Sequence, residues 1–206
     1  MIMYVCFEGV DGSGKDTQAD MLNMLWSEIK DTEPLRINEP DADSPTGKLL
    51  RSCLKSGDYP KAHAAMFLAD RMALGFDKII PALHAGRDVI CCRSFVSTLV
   101  YQQDQWPLDW LFEIHRMNPA KPDAIIILDV DPAEGLERVS GRGVAKEVYE
   151  RLDIQTRNRQ RYMDLVSDPR LGDFLAPGGK VIVLSTTGRD VQAIHAKVVA
   201  AIGGLH

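Results

Sequence analysis

The segment Gly9-Val10-Asp11-Gly12-Ser13-Gly14-Lys15 stands between a short apolar run, residues 1–7, and a stretch with apolar residues at helical spacing. A glycine-rich turn between a buried strand and a helix points several backbone N–H groups at one place, where the helix dipole adds positive potential. Gly9, Gly14 and Lys15 have the spacing of a phosphate-binding loop, in which the lysine reaches the β- and γ-phosphates of a nucleotide. The alternative is a turn that binds nothing, but the strand before it and the helix after it favour a nucleotide site.

This phosphate loop departs from the usual pattern at its last position, where Ser or Thr normally binds Mg²⁺. The chain has Asp16 there, followed by Thr17. Carboxylate and hydroxyl oxygens both suit Mg²⁺, so both residues are predicted metal ligands. Alternatively, Asp16 caps the helix and Thr17 takes over the metal role. The residues predicted to bind the nucleotide cofactor at this loop are Asp11, Gly12, Ser13, Gly14, Lys15, Asp16 and Thr17.

The length and charge of the chain exclude several classes of protein. Its 206 residues predict one domain, residues 1–206, with a substantial core. A net charge of −5 argues against a protein that coats nucleic acid through a basic surface. No apolar run approaches the roughly 18 residues needed to cross a bilayer, and we see no secretion signal. Since no pair among the four cysteines has metal-ligand spacing, we expect a cytoplasmic protein with reduced thiols.

Short apolar runs alternate with helical patterns along the chain. The runs predict strands at residues 1–7, 34–37, 89–92, 123–130 and 180–184. A helix is predicted after the phosphate loop, and further helical patterns occupy residues 46–55, 61–85, 95–103, 109–117, 131–141, 147–166 and 191–202. Pro81 is expected to kink or divide the longest of them. Strands separated by helices predict a three-layer α/β/α fold with a mostly parallel five-stranded sheet.

Polar residues follow the first three predicted strands. The phosphate loop follows strand one, Glu39 follows strand two and Arg93 follows strand three. Because the carboxyl ends of parallel strands meet at one edge of a sheet, we expect all three to converge. A guanidinium such as that of Arg93 can hold a phosphate with two parallel hydrogen bonds. The alternative for Arg93 is a structural ion pair with Glu39 or Asp11.

Several separated motifs, taken in order, resemble those of the thymidylate kinase family of nucleoside monophosphate kinases. They are the phosphate loop at residues 7–18, Asn38-Glu39-Pro40, Pro45-x-Gly47 through Arg51, Met66-Phe67-Leu68-Ala69-Asp70-Arg71, Cys92-Arg93-Ser94 through Tyr101-Gln102, Pro122-Asp123 through Asp131-Pro132 and Arg138, and Arg142-Gly143. Each motif after the first is weak alone, whereas the ordered set is specific. The resemblance implies a P-loop NTPase fold with a small helical lid at about residues 140–151. It also implies a homodimer and the transfer of a phosphoryl group from ATP, with Mg²⁺, to dTMP.

The resemblance also implies roles for individual residues. Lys15, Arg93 and the lid residue Arg142 would be catalytic, since cations neutralise the charge that phosphoryl transfer spreads over the phosphate oxygens. Arg138 would bind the ATP cofactor, and Arg159 matches a further family position. The substrate-binding residues implied are Glu39, Arg51, Phe67, Arg71, Arg93, Ser97, Tyr101 and Gln102.

Four of these substrate-binding residues have distinct implied partners. Arg51 would contact the acceptor phosphate and Arg71 a base carbonyl, while Phe67 would stack on the pyrimidine. Tyr101 would lie against the sugar and disfavour a 2′-hydroxyl. The alternatives are structural: surface salt bridges for the two arginines and core packing for the two aromatic residues. Two further polar side chains would hydrogen-bond the pyrimidine edge or sugar, or else cap or line a helix, namely Ser97 and Gln102.

The chain differs from the family motifs at Asp16, Asn38, Cys92 and Ser94. Cys92 stands where the family has an aspartate near the metal, and Asp16 adds a carboxylate to the loop. We hypothesise that this carboxylate has been relocated, so that the total charge around the metal is kept. Asn38 and Ser94 replace an arginine and a tyrosine on the acceptor side. Open alternatives are therefore a modified pyrimidine deoxynucleotide or a deoxynucleoside as acceptor, or a nucleotide-binding regulator without transfer activity; a nucleotide within DNA is disfavoured by the acidic net charge.

Overall fold

A computed structural model describes residues 2–140 and 151–204 of the chain, and in this part five strands form one sheet. The strands are β1 (Tyr4–Glu8), β2 (Leu35–Asn38), β3 (Val89–Cys92), β4 (Ala124–Asp129) and β5 (Lys180–Ser185). Their order is β2-β3-β1-β4-β5, and each neighbouring pair is parallel. The predicted α/β fold is confirmed. Because β1 lies between β3 and β4, the crevice at its carboxyl end is where such a sheet binds ligands.

The predicted helices are also present, with ends that differ by a few residues. Nine α-helices lie within the described residues: α1 (Lys15–Ile29), α2 (Pro45–Ser56), α3 (His63–Leu74), α4 (Ile80–His84), α5 (Phe95–Tyr101), α6 (Leu108–His115), α7 (Pro132–Ser140), α8 (Leu152–Val166) and α9 (Val191–Gly203). Most of the predicted lid, residues 140–151, lies outside the described residues. The predicted catalytic residue Arg142 lies outside them too.

Two apolar cores cover the two faces of the sheet. Successive side chains of a strand point to opposite faces, and β1 shows this directly. Tyr4 and Cys6 belong to a core formed with α3, α5, α6 and α8, whereas Val5 and Phe7 belong to a core formed with α1 and α9. All residues of β1 and β3 are buried, as expected for strands covered on both sides. The result is the predicted three-layer arrangement.

The long helix predicted over residues 61–85 is interrupted. It begins at His63 after a short 3₁₀ turn, and a π-helical turn, Gly75–Ile79, separates α3 from α4. Pro81 lies in the first turn of α4, directly after the helical residues Gly75–Ile79. In a continuous α-helix its ring would clash with the carbonyl of Asp77, and it has no N–H to donate to that carbonyl. The wider π turn shifts the hydrogen-bond register ahead of the proline. A Cβ on Gly75 would lie 2.3 Å from Cγ of Pro119, so glycine allows this close approach.

Two further observations concern the cysteines and the helices. The four cysteines are buried, and none of them forms a disulfide. Within the described ranges, no helix combines the length and the apolar character that a bilayer span requires.

Candidate active site

The phosphate loop connects β1 to Lys15, the first residue of α1. Gly12 and Gly14 have φ angles of 76° and 90°, in the left-handed region that glycine adopts without strain. A Cβ on Gly12 would lie 2.0 Å from the carbonyl oxygen of Gly135 in α7. Only glycine therefore fits at this position, and α7 packs directly against the loop.

The loop has the features of an anion site. No side chain caps α1, whose N-cap residue is Gly14, so no protein side chain competes for its first N–H groups. The hydroxyl of Ser13 is buried and has no hydrogen-bond partner. Lys15 is only 5% exposed, and its Nζ lies 3.4 Å from the carbonyl oxygen of Val10 and 3.5 Å from Oδ1 of Asp11. A helix N-terminus, an unpaired hydroxyl and a buried lysine together fit a bound phosphate.

Arg93 follows β3 and points toward the phosphate loop. Its backbone has φ of 72°, a conformation that costs a non-glycine residue about 1–3 kcal/mol and is common at functional sites. Its N–H donates to the carbonyl of Phe7 at 2.8 Å. In the side chain, Nη2 donates to Oδ1 of Asp11 at 2.8 Å and Nη1 to Oγ of Ser97 at 3.3 Å. The guanidinium also lies 5.3 Å from the ring centre of Tyr101, so Arg93 is fixed beside the loop.

Asp11 and Arg93 carry opposite charges that support each other. Burial alone would raise the pKa of Asp11, but Lys15 and Arg93 outweigh it and the pKa is lowered. Burial would likewise lower the pKa of Arg93, but Tyr101 and Asp11 outweigh it and the pKa is raised. The ion pair with Asp11 that was one alternative for Arg93 is therefore present. It leaves the guanidinium charged at the mouth of the loop.

A buried carboxylate, Glu8, lies behind this ion pair. It is fully buried at the end of β1 and accepts hydrogen bonds from the hydroxyls of Ser94 and Ser97, each at 2.7 Å, and of Tyr162 at 2.8 Å. Ser97 therefore links Glu8 to Arg93. This hydroxyl, predicted to bond the pyrimidine or sugar, already donates its proton to Glu8.

Helix α8 holds the loop from the other side. Gln155 is fully buried, and its Nε2 donates to Oδ2 of Asp11 at 3.0 Å while its Oε1 accepts from the N–H of Asp11 at 3.2 Å. Tyr162, two turns further along α8, reaches Glu8 as described above. We refer to one set of residues as the inner cluster: Glu8, Asp11, Arg93, Ser97, Gln155 and Tyr162.

A second set of polar side chains lies at the outer edge of the loop. Asp16 is in the first turn of α1, and 55% of its side chain is exposed. Its carboxylate lies close to the thiol of Cys92 and 3.9 Å from Nη2 of Arg36. Since Gly14 is the N-cap of α1, Asp16 does not cap this helix as the alternative proposed. We refer to Asp16, Asp20, Arg36, Asn38 and Cys92 as the outer cluster.

Asp16 and Cys92 shift each other's titration. Burial would raise the pKa of Asp16, but Lys15, the Cys92 thiol and two arginines outweigh it and the pKa is lowered. Burial raises the pKa of Cys92 to about 12, although Lys15 acts in the opposite direction, and Asp16 adds to the increase. At neutral pH the pair is therefore a carboxylate beside a neutral thiol. Thr17, the other predicted metal ligand, follows in the same turn and is partly buried.

On the predicted acceptor side, Arg71 is buried and paired. Its Nε donates to Oε2 of Glu39 at 2.8 Å, and its Nη1 lies 3.4 Å from Nδ1 of His115. This is a buried ion pair, not the surface salt bridge of the alternative. Burial raises the pKa of Glu39 even though Arg71 opposes the shift. Oε1 of Glu39 is buried and has no partner, so this side of the site contains an unused acceptor atom.

Arg51 and Phe67 are placed at the same side of the sheet. The Nε of Arg51 donates to the carbonyl of Pro40 at 3.1 Å, so the alternative of a helix-surface salt bridge is wrong here. Phe67 is half-buried and belongs to neither apolar core, which does not support the core-packing alternative. Asp70 fixes the loop between β2 and α2, since it accepts from the N–H of Asp41 at 2.8 Å and from the hydroxyl of Ser44 at 2.7 Å.

Tyr101 and Gln102 lie at the end of α5. Burial raises the pKa of Tyr101, so its hydroxyl stays neutral, and Gln102 is buried. A cleft of about 270 Å³ opens beside Tyr101. Its walls come from α2, α3, α5 and α8 and include Leu54, His63 and Asn158. The predicted sugar-facing residue therefore borders open space large enough for part of a ligand.

Arg138, on α7, contacts the phosphate loop. Its Nη1 donates to the carbonyl of Gly12 at 3.2 Å, its Nη2 donates to the carbonyl of Thr186 at 2.9 Å, and it also pairs with Glu134. It is thus in contact with the phosphate loop, as expected for a residue near ATP. Arg159 is not at the loop, because its guanidinium forms a two-point ion pair with Asp129 at the end of β4.

Sequence analysis did not single out Glu8, Asp70, Gln155 or Tyr162. A glutamate at the end of an otherwise apolar strand was one available signal. On α8, Gln155, Asn158 and Tyr162 are buried, at spacings of three and four residues, and this stripe of polar groups on one helix face was another. Asp70 lies within a quoted motif and forms its contacts through residues 24 to 29 positions away.

Comparison with known proteins identifies the family. The family model described as thymidylate kinase matches residues 7–172. The chain belongs to the thymidylate kinase family. A probable thymidylate kinase from Thermococcus kodakarensis is 34% identical over 212 residues, which cover 97% of each chain. One from Pyrococcus horikoshii is 33% identical over 207 residues, covering 97% of this chain and 95% of that one.

A solved structure gives the same fold. The thymidylate kinase of Candida albicans matches with a TM-score of 0.78 at 24% identity, covering 98% of this chain and 92% of that one. The likeness shows a shared fold. Together with the family match, it confirms the prediction of a thymidylate-kinase-like phosphotransferase with a P-loop NTPase fold.

Proposed function

We propose that the protein transfers the γ-phosphoryl group of ATP to dTMP and releases ADP and dTDP. The observation that carries this proposal is that two cationic side chains, those of Arg93 and Lys15, lie beside the carboxylate of Asp11. Arg93 Nη2 and Lys15 Nζ lie 2.8 and 3.5 Å from Oδ1 of Asp11. An arginine for the acceptor phosphate and a lysine for the donor phosphates therefore lie across a small gap, as direct transfer requires.

The residues of the chain act by positioning and by charge. The loop N–H groups and Lys15 hold the phosphates of ATP, and Arg93 holds the phosphate of dTMP in line with them. Arg142, in the predicted lid, would neutralise charge on the transferring group. Such a site needs no covalent intermediate, since pre-arranged cations stabilise the transition state. The inner cluster keeps Arg93 and Asp11 in place while substrates come and go.

Mg²⁺ would be held by Asp16 and Thr17 together with the nucleotide phosphates, and it would neutralise phosphate charge. Oxygen donors of this kind fit a cation that keeps several waters and takes one or two protein ligands. Among the described residues, no group of three or more His, Cys, Asp or Glu side chains forms a denser metal site. The exposed carboxylate of Asp16 supports the hypothesis of a relocated metal ligand, because it contacts the residue that replaces the family's aspartate.

The acceptor would lie between Phe67 and Tyr101. A half-exposed phenylalanine offers a flat surface for the pyrimidine, and the neutral hydroxyl of Tyr101 would face the sugar. Arg71 is held by Glu39 on the same side, where it would reach a base carbonyl. The homodimer implied by the resemblance is part of the same proposal, and its mass in solution, measured by light scattering, tests it.

A substrate panel tests the proposed function. ADP release would be measured by a coupled assay with dTMP, dUMP, dCMP, 5-hydroxymethyl-dUMP and thymidine, and each product would be identified by mass. ADP formation that depends on dTMP and is abolished in Lys15→Ala, but not in the matched variant Lys55→Ala at an exposed position of α2, supports the proposal.

Other results of the panel would overturn it. Turnover of thymidine without turnover of its monophosphate would indicate a nucleoside kinase. A strong preference for 5-hydroxymethyl-dUMP would indicate a modified pyrimidine nucleotide as the acceptor. Tight ATP binding without turnover of any acceptor would indicate a regulator.

A further inference from the structure

Three of the positions at which the chain departs from the family motifs lie together in the outer cluster. Asn38, the last residue of β2, is the register partner of Cys92, the last residue of β3. The thiol of Cys92 lies close to the carboxylate of Asp16 across the start of α1. The three departures thus come from three different elements and meet at one place. Their proximity indicates that they form one unit.

Arg36 joins the members of this unit. It lies two residues before Asn38 on β2, so both side chains are on the same face of the strand. Nη1 of Arg36 donates to Oδ1 of Asn38 at 2.6 Å, and Nε donates to Oδ1 of Asp20 at 2.9 Å. The third nitrogen, Nη2, lies 3.9 Å from Oδ1 of Asp16. Each nitrogen of the guanidinium therefore has a different partner.

The unit has a fixed part and an exposed part. The side chain of Arg36 is only 17% exposed, whereas that of Asp16 is 55% exposed. A planar guanidinium held at two of its edges cannot turn freely. Its remaining N–H groups then present a fixed positive edge to the Asp16 carboxylate, while the Cys92 thiol meets the same carboxylate from the strand. Asp16 has its supports on the protein side and an open side toward solvent.

We propose that Arg36 is a positioning residue that, together with Asn38 and Cys92, holds the Asp16 carboxylate in the orientation that binds the Mg²⁺ of the nucleotide complex. The inference rests on the metal role of Asp16 given under the proposed function. It assigns Arg36 the task of orienting a ligand and no contact with the metal or the substrates. Hydrogen-bonded supports of this kind typically change metal affinity by about 10- to 100-fold when removed.

A direct measurement of metal binding tests this role. Mn²⁺ is the probe, and its affinity for the ADP-bound full-length protein is measured by electron paramagnetic resonance. Arg36→Ala removes both the charge and the support, whereas Arg36→Lys keeps the charge and loses the planar fork. We expect both variants to weaken Mn²⁺ binding about 10-fold. Arg116→Ala is the matched control, because Arg116 forms an exposed ion pair with Glu113 on α6, and it should leave the affinity unchanged.

A coupling measurement links the effect to Asp16. In an Asp16→Asn background, Arg36→Ala should have no further effect on Mn²⁺ affinity, since the ligand that Arg36 orients is already lost. Thermal melts of all variants, with ADP and without metal, check that each one is folded. A variant that fails to fold is replaced by Arg36→Gln, which keeps a planar donor group.

Several outcomes would overturn the inference. If Arg36→Ala tightens Mn²⁺ binding while Arg36→Lys leaves it unchanged, Arg36 acts only by repelling the cation. If neither variant changes the affinity, the contacts are a surface ion pair of little consequence. A full effect of Arg36→Ala in the Asp16→Asn background would also contradict it. Failure of the substrate panel with intact Mn²⁺ coupling would reject the proposed function alone, so the two failures can be distinguished.

Discussion

The inner and outer clusters occupy two sides of the same phosphate loop and differ in how firmly they are held. Glu8 and Gln155 of the inner cluster are fully buried, and their hydrogen bonds join β1, α5 and α8 to the loop. In the outer cluster, Asp16 and Asp20 have side chains that are 55% and 63% exposed. Their partner Arg36 comes from β2, which is an edge strand.

The difference in burial gives the two clusters different roles. A buried network is costly to disturb, because each lost partner leaves a desolvated polar atom behind. An exposed network exchanges partners with water at low cost. The inner cluster therefore supports both the fold and the geometry of transfer, whereas the outer cluster can change without loss of the fold. The departures at Asp16 and Asn38 are exposed and lie where change is cheaper, whereas Cys92 is buried at the end of β3.

The largest contrast is expected between two arginine-to-lysine variants. Arg93→Lys keeps the charge of the inner cluster but loses two-point binding of the acceptor phosphate. We expect kcat with dTMP to fall by about 10²–10³-fold. Arg36→Lys in the outer cluster should change kcat by less than about 10-fold at saturating Mg²⁺, because it acts through metal binding. Steady-state kinetics with dTMP and Mg²⁺ varied separately measures both.

An equal loss of kcat in the two variants would contradict the proposed difference between the clusters. That difference would also be contradicted if Arg93→Lys raised only the KM for dTMP, because Arg93 would then bind ground state and transition state alike.

A second contrast concerns stability. Glu8→Gln leaves a side chain of the same shape, but it brings an N–H₂ group to three hydroxyls that now donate to the carboxylate. We expect a loss of about 2 kcal/mol in the free energy of unfolding, or about 4–8 °C in Tm for a domain of this size. Asp20→Asn in the outer cluster should shift stability by less than about 0.5 kcal/mol. Thermal and urea unfolding measure both, and similar values for the two variants would contradict the division into clusters.

The same division explains what the sequence could predict. The phosphate loop, the Val89–Cys92 strand and the convergence of Arg93 with the loop follow from local patterns, namely glycine spacing and apolar runs. Contacts of the inner cluster join residues far apart in the chain, such as Glu8 with Tyr162 and Asp11 with Gln155, which are 154 and 144 positions apart. No local period marks such pairs. They become visible only when the sheet order brings β1, α5 and α8 together.

The sequence also could not predict which charged side chains form ion pairs with each other. The alternative of a surface salt bridge for Arg71 is wrong, because Arg71 forms a buried ion pair with Glu39. A motif locates an arginine near a site, but burial and the neighbouring strands decide its partner. In the outer cluster, Arg36 carries no family motif, and its role follows only from contacts with Asn38 and Asp16.

A pH-dependent effect tests the buried acceptor side at a point outside both clusters. His115 is fully buried on α6, with Nδ1 3.4 Å from Nη1 of Arg71. Burial and the charge of Arg71 lower the pKa of His115 well below its usual range. The unfolded chain therefore binds this proton more readily than the folded protein. The stability that neutral His115 provides is complete above about pH 6.5 and declines as the pH falls below that value.

We expect the wild-type protein to lose up to about 2 kcal/mol of stability between pH 7 and pH 5 through this one residue. His115→Gln cannot gain the proton, so its stability should decline less over the same interval, whatever its absolute value at pH 7. The matched variant His84→Gln, at an exposed position, should follow the wild type. Urea unfolding at pH 5, 6 and 7 gives the three slopes. Parallel slopes for wild type and His115→Gln would mean that His115 is protonated in the folded state, and that the acceptor side is open to water in the way the outer cluster is.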